Sequence, residues 1–295
     1  MVPAPADTSS TENARAEPEA NRAGPHAWPQ PFVRPSHRNA GHCGWDNNRR
    51  VPQNLFIGPI AEGYDLGSPE MWTPTVLAET ADFLAAQARG GRALEFGIGT
   101  GRVALPLSER GVEVCGIDIS AQMLDQLHRK PGSDAIATTV GDFANTTIPG
   151  DFSLVYVVFN SIGCLLEQSE WVQAFRNASN HLRAGGRFVM ELWVPDLRRF
   201  PPGAAALPFD VSPSHVGFDT LDVATQRGVS HHYFSVDGLI GRFDTPFRYA
   251  WPAELDLMAQ MAGMRLRERW ADWDRSPFTS ESSKHVSVWE RYSKL

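Results

Sequence analysis

One segment narrows the possibilities for this chain more than any other: Leu94-Glu95-Phe96-Gly97-Ile98-Gly99-Thr100-Gly101-Arg102. A short apolar run passes into glycines at alternate positions and then into a stretch of helical character, Arg102 to Glu109. Glycines let a backbone pass close against a ligand, and a helix start offers it unpaired N–H donors. The G-x-G-x-G spacing after an acid is tighter than the G-x-G-x-x-G of dinucleotide loops and points to a different adenosine cofactor. Two further acids extend the pattern. Asp118 lies 17 residues beyond Gly101, at the end of the next strand, where its carboxylate can accept both hydroxyl protons of a ribose. Gly141-Asp142-Phe143 ends the third strand and offers an acceptor for an adenine amino group beside a flat apolar ring. Either acid alone could equally be satisfying turn amides, but together they bring three strand ends to one crevice.

Around this segment, strand-like and helical runs alternate. A helix over Thr73–Ala88 precedes the strand Ala93–Phe96. Strand Val112–Ile117 then leads to helix Ser120–Lys130, and strands Ile136–Val140 and Leu154–Phe159 to a helix near Glu170–Leu182 and strand Arg187–Trp193. Such alternation is the mark of a parallel sheet with helices on both faces. After Pro195 the pattern changes: Pro- and Gly-rich residues 200–217 lead to an extended pair around Asp237-Gly238, a strong hairpin signal. A helix Pro252–Ala262 and two alternating runs, Met264–Trp270 and His285–Trp289, complete the chain. The expected fold is a doubly wound, Rossmann-like α/β domain at residues 51–295. Its seven-stranded sheet is mostly parallel, and an antiparallel β lid is inserted after strand five, at 195–250. Seven of the 22 prolines fall within the first 35 residues, so residues 1–50 read as a disordered or loosely packed extension. Its Trp28, Phe32 and Trp45 could dock on the body, cover a substrate mouth, or exchange between subunits of a homodimer.

Charge and cysteine content exclude several roles. Lys and Arg number 27 against 34 Asp and Glu, a net charge of −7 with no long basic run, which argues against binding nucleic acid. No apolar run approaches the length of a membrane span, and the first two dozen residues lack a signal-peptide core. The three cysteines, Cys43, Cys115 and Cys164, have neither disulfide nor zinc spacing. A soluble cytoplasmic protein is expected, with no metal.

On Glu95–Gly101, Asp118, Asp142-Phe143 and Phe159-Asn160-Ser161-Ile162-Gly163, the sequence resembles the class I S-adenosylmethionine-dependent methyltransferases over about residues 55–295. The resemblance implies that Glu95 and the loop of Gly97, Gly99 and Gly101 hold the amino-acid end of S-adenosylmethionine. It places Asp118 and Ile119 at the ribose, Met123 on one adenine face, Asp142 and Phe143 at the adenine edge and ring, and Phe159 and Asn160 beside the methionine portion. Tyr64 looks like the tyrosine of an N-terminal helix that closes over the cofactor. Phe159–Leu165 and Glu191–Pro195 look most like actinobacterial natural-product enzymes, including amino-sugar N-methyltransferases. Where the sugar enzymes carry Gly-His-Leu, this chain has Gly163-Cys164-Leu165. An aromatic, indole-like acceptor methylated on carbon or nitrogen suits the nine Trp and 16 Phe better. The alternatives are an amino sugar or other small amine, and a NAD-dependent oxidoreductase.

Methyl transfer is an in-line displacement in which positioning matters most, and a base is needed only where the acceptor must first lose a proton. Four side chains are candidates for that help. Glu191 falls at the carboxyl end of strand five, where it could face the crevice or pair with Arg187 or Arg248. Counting outward from a two-residue turn at Asp237-Gly238 sets His231 opposite Asp244 and His232 opposite Phe243, on opposite faces. Both could equally be surface histidines. Tyr249 could donate to a substrate or fix the strand end.

Overall fold

The computed structural model describes residues 54–66, 69–236 and 239–292. In chain order the elements are α1 (Pro59–Gly63), α2 (Pro74–Ala88), β1 (Ala93–Phe96), α3 (Ala104–Glu109), β2 (Val114–Asp118), α4 (Ala121–His128), β3 (Ala137–Val140), β4 (Phe152–Val157), α5 (Gln168–His181) and β5 (Leu182–Trp193). There follow β6 (Ala206–Val211), β7 (His215–Asp222), β8 (Arg227–Val236), β9 (Leu239–Arg248), α6 (Pro252–Met261), β10 (Met264–Trp270) and β11 (Lys284–Arg291).

Seven strands form one sheet in the order β10-β11-β5-β4-β1-β2-β3. Every pairing is parallel except the two made by β11. Strands buried on both faces must be apolar on both, and the core is accordingly double. Leu94, Phe96, Val155, Val157, Phe188 and Met190 pack toward α5 and α6 on one side. Ala93, Leu154, Tyr156 and Val189 meet Phe83 and Leu84 of α2 and Leu107 of α3 on the other. Chain order reverses at β1, which has β2 on one side and β4 on the other, so the crevice of such a sheet lies beyond the carboxyl ends of β1 and β4.

The insertion after β5 is an antiparallel sheet of four strands, β6-β7-β8-β9. Two of these, β6 and β7, lie where a Pro- and Gly-rich connection was expected. The counted pairing of the other two holds: His232 opposite Phe243 and His231 opposite Asp244. The turn residues Asp237-Gly238 and the extension through residue 53 lie outside the described residues.

Candidate active site

The glycine loop bends because three of its residues take left-handed backbone angles: φ is 70° at Gly97, 54° at Gly99 and 79° at Gly101. Two of these positions are also closed to a side chain. A Cβ on Gly101 would fall 2.9 Å from Leu127, and one on Gly97 3.1 Å from Ser161. Gly97 N and Ile98 N both donate to the Ile117 carbonyl, at 2.8 and 3.2 Å. Asp118 completes the bend: its Oδ2 accepts from Gly99 N and its Oδ1 from Ser120 N, both at 2.8 Å. Each oxygen of the expected ribose ligand therefore already holds one loop amide and keeps a lone pair for a second donor. Burial pushes the Asp118 carboxyl up, against these two amides.

Glu95 lies buried in β1, accepting a 2.9 Å hydrogen bond from the Tyr156 hydroxyl on β4. Burial pushes its carboxyl up to about 8, although Tyr156 and the Arg102 cation pull the other way. Tyr64, beside Arg102, Cys164 and Asp118, is pushed up by burial to about 12. The segment carrying Tyr64 is fastened to the loop by its neighbour. Asp65 takes the Thr100 hydroxyl at 2.6 Å and the Lys130 ammonium at 2.5 Å, while Lys130 also donates to the Thr100 carbonyl at 2.8 Å. Arg102 reaches the Met71 carbonyl at 3.2 Å. Met123 is buried, with its methyl 3.3 Å from the position of a Gly99 Cβ. Ile119, half-buried, lies between Asp118 and Ser120. Phe143 stacks on Phe96 at 5.5 Å. Asp142, expected at the adenine edge, holds Ala144 N on Oδ1 at 2.8 Å and the Asn145 side-chain amide on Oδ2 at 2.9 Å, and each oxygen keeps a lone pair.

Beyond β4 the chain makes two successive left-handed residues, Phe159 at φ 51° and Asn160 at φ 60°. Asparagine tolerates this region; a bulky phenylalanine does so at a cost of about 1–3 kcal/mol unless its surroundings fix it. Glu191 supplies the fixing. Its Oε2 accepts from Phe159 N at 3.0 Å, its Oε1 from the Trp273 indole at 3.2 Å, and Lys284 stands 3.5 Å away. Asn160 Oδ1 takes Trp193 N at 2.8 Å, and the Arg102 guanidinium lies 5.2 Å from the Phe159 ring. The arginine partners considered for Glu191 are engaged elsewhere: Arg187 with Gln87 and Glu268, Arg248 with Glu254.

The lid histidines do face apart. His231 has both ring nitrogens occupied, by Asp244 at 2.9 Å and the Thr220 hydroxyl at 3.1 Å. His232 is bonded at Nδ1 to His215, 3.1 Å away. Tyr249 is buried, with its hydroxyl 3.4 Å from the Asp222 carbonyl and its ring between Trp193 and Trp251, a placement that ties the lid base to the body.

Residues 93–186 match the family described as a methyltransferase domain. The solved CcbJ methyltransferase from Streptomyces caelestis is 35% identical, with a TM-score of 0.69 over 77% of this chain and 96% of that one. The chain belongs to the class I S-adenosylmethionine-dependent methyltransferases, actinobacterial type. Two curated relatives are also similar. The cypemycin N-terminal methyltransferase of a Streptomyces species is 28% identical over 207 residues, 68% of this chain and 84% of its own. The dTDP-3-amino-3,6-dideoxy-alpha-D-glucopyranose N,N-dimethyltransferase of Streptomyces fradiae is 32% identical over 163 residues, 52% and 61% respectively.

The donor set of this methyltransferase fits its cofactor. Among the described residues, no lysine or arginine nitrogen comes within ion-pair distance of Glu95, so the carboxylate is left without a paired cation and can take the ammonium of a methionine moiety. The Asp118 oxygens retain lone pairs for hydroxyl donors, and the glycine loop leaves no Cβ in their way. Several residues of the site escaped the sequence reading: Tyr156, Arg102, the Asp65–Thr100–Lys130 latch, and Trp273 and Lys284 behind Glu191. None carries a local signature, since each acts through a contact far along the chain. Among the described residues, no group of three His, Cys, Asp or Glu could hold a metal, and no helix is long and apolar enough to cross a membrane.

Proposed function

We propose that this methyltransferase methylates the amine nitrogen of a small-molecule acceptor. The observation that carries the proposal is that Cys164, Tyr64 and Glu191, the candidate bases around Phe159, are neutral or already bonded. Burial pushes the Cys164 thiol up to about 11 and the Tyr64 hydroxyl to about 12, so both are neutral near pH 7. Glu191 already accepts two N–H groups and holds backbone in place. A neutral amine attacks first and loses its proton afterwards, so it needs no strong base at the point of transfer; a hydroxyl does. The names of two relatives, an N-terminal methyltransferase and an amino-sugar N,N-dimethyltransferase, support the same reading.

Bound S-adenosylmethionine supplies the methyl group on a sulfonium, a leaving group that is already activated. The protein's part is to hold and to exclude. Glu95, the glycine loop and Asp118 would fix the cofactor, and Met123 and Phe143 would flank its base. Tyr64, latched through Asp65, would close the mouth, while Phe159 and Asn160 would set the approach of the acceptor nitrogen.

An aromatic acceptor is the second reading, favoured by the rings that rim the crevice: Trp193 lies 5.7 Å from Phe247 and 6.1 Å from Tyr249. One assay separates the two. The enzyme and S-adenosylmethionine are incubated with panels of primary amines, aminodeoxy sugars, phenols and indoles, and products heavier by one CH2 are sought by mass spectrometry. Turnover confined to amines is expected. Methylation of indoles with no amine product overturns the proposal.

A further inference from the structure

On the lid, strand alternation gathers one set of side chains onto a single face: Phe247 with Gly228, Thr245 with Ser230, Phe243 with His232, and Phe234 with His215. Asp210, paired with Gly217, faces the same way. One end of this face meets the body, where Phe247 touches Trp193 at the end of β5, and His232 and Phe243 lie four residues further along their strands.

Here three groups form a directed chain. His215 Nδ1 lies 2.5 Å from Asp210 Oδ2, and His215 Nε2 lies 3.1 Å from His232 Nδ1. A carboxylate only accepts, so His215 must carry its proton on Nδ1. For a neutral His215 ring, Nε2 is then the acceptor and His232 donates from Nδ1. The tautomers are thereby fixed, and His232 Nε2 is left with a lone pair and no hydrogen bond among the described residues. Around it stand Phe209 at 5.3 Å, Phe234 at 6.0 Å and Phe243 at 6.1 Å, centroid to centroid. Asp210 and Asp219 lie on this face; the Arg199 cation acts on Asp219 from outside it, and no lysine or arginine occupies the paired positions.

Negative charge behind a lone pair, with aromatic faces on several sides, is the chemistry that holds an organic cation bearing an N–H. We propose that this face binds the acceptor's amine in its ammonium form, the N–H donating to His232 Nε2 and the cation lying against the phenylalanine rings. The inference rests on the amine reading above and adds to it a station where the ammonium gives up a proton before its neutral nitrogen reaches Phe159 and Asn160. When the ammonium N–H bond breaks, its electron pair stays on the amine nitrogen and the proton joins His232 Nε2. The His232 Nδ1 proton passes to His215 Nε2, and Asp210 balances the resulting charge through the His215 Nδ1–H. Burial and then the neighbouring His215 lower the basicity of His232, His231 adds in the same sense, and Asp244 opposes.

The test uses the full chain saturated with S-adenosylhomocysteine, 15N-labelled at histidine, with benzylamine as the probe near pH 7. Benzylammonium should shift the His232 Nε2 resonance saturably. Benzyltrimethylammonium, which has no N–H, should bind more weakly. Both His232→Phe and Asp210→Asn should weaken benzylammonium about tenfold, the usual size for losing one charge-assisted hydrogen bond, with cofactor affinity unchanged. Asp210→Asn keeps every ring and guards against a folding artefact in the other variant. The proposal is overturned if the wild type shows no saturable shift or if both variants bind benzylammonium as the wild type does. Failure of the amine reading appears separately, as binding at His232 without any methylated amine in the mass-spectrometric assay.

Discussion

Glu191, two residues before the end of the fifth strand, has both carboxylate oxygens taken, so its loss strands two donors at once. Glu191→Leu should leave Phe159 N and the Trp273 indole unpaired at about 1–3 kcal/mol each, and should release a left-handed phenylalanine. We expect a lowered Tm, a raised KM for the acceptor and little change in S-adenosylhomocysteine affinity, with Glu191→Gln recovering part of the loss. A general base would behave otherwise: Glu191→Gln would then cut kcat by about a hundredfold or more at unchanged Tm. Asp118 makes a parallel case. Asp118→Ala should raise the Kd for S-adenosylhomocysteine at least about tenfold and also lower the Tm of the cofactor-free protein, because Gly99 N and Ser120 N lose their acceptor. A ribose contact alone would predict the first effect and no change in the second. At this scale Asp118 and Glu95 were legible because a strand running into a glycine turn fixes where its flanking acids sit. Asp142 was legible only as an acid in the right place, since turn chemistry and adenine recognition ask for the same residue. Tyr156, 61 residues from Glu95, had no signal at all.

Among the elements, the body of the sheet could be read almost strand by strand, since burial on both faces forces short apolar runs between helical ones. The lid was half hidden for a physical reason. Proline and glycine weaken a strand signal, and β6 holds Pro208 while β7 holds Gly217. Pro208 is tolerated because β6 is an edge strand, as is β9 with Pro246. What joins this sheet to the body is more local: Arg248, 2% exposed, pairs with Glu254 at 2.6 Å and lies over Trp171 at 4.9 Å. Glu254 also takes Gln168 and Gln226, both at 2.8 Å. Removing the cation alone should leave that carboxylate short of its strongest partner. Arg248→Met should therefore cost about 2–4 kcal/mol, seen in denaturant midpoints together with faster proteolysis within 195–250. The double variant Arg248→Met/Glu254→Leu should regain most of that loss. Additive losses would show that the pair does not act as a unit.

For the whole molecule, two buried groups of opposite chemistry shape stability against pH. His285, fully buried on β11, is pushed down to about 3 from an ordinary 6.5, with burial as the main cause and the Arg269 cation adding to it. Between those values the unfolded chain binds the extra proton, so stability falls as pH drops from about 6.5 toward 3. Glu95 runs the other way. Its folded value of about 8 lies above the ordinary 4.5, the folded chain binds the extra proton, and stability falls as pH rises from about 4.5 to 8. The two slopes oppose each other between 4.5 and 6.5, which places the stability maximum of the cofactor-free protein in that window. Cofactor should alter only one limb. An ammonium beside Glu95 favours its ionised form, so S-adenosylhomocysteine should bind more tightly as pH rises toward 8 and should flatten the alkaline limb, leaving the acid limb as it was. Scanning Tm from pH 4 to 9, with and without ligand, tests this against Glu95→Gln and His285→Gln. The first variant should level the alkaline limb without ligand and abolish the pH dependence of binding, and the second should level the acid limb alone. An alkaline limb that persists in Glu95→Gln would mean that its buried carboxyl is not the group the cofactor ionises, and the ammonium would have to be placed elsewhere in the crevice.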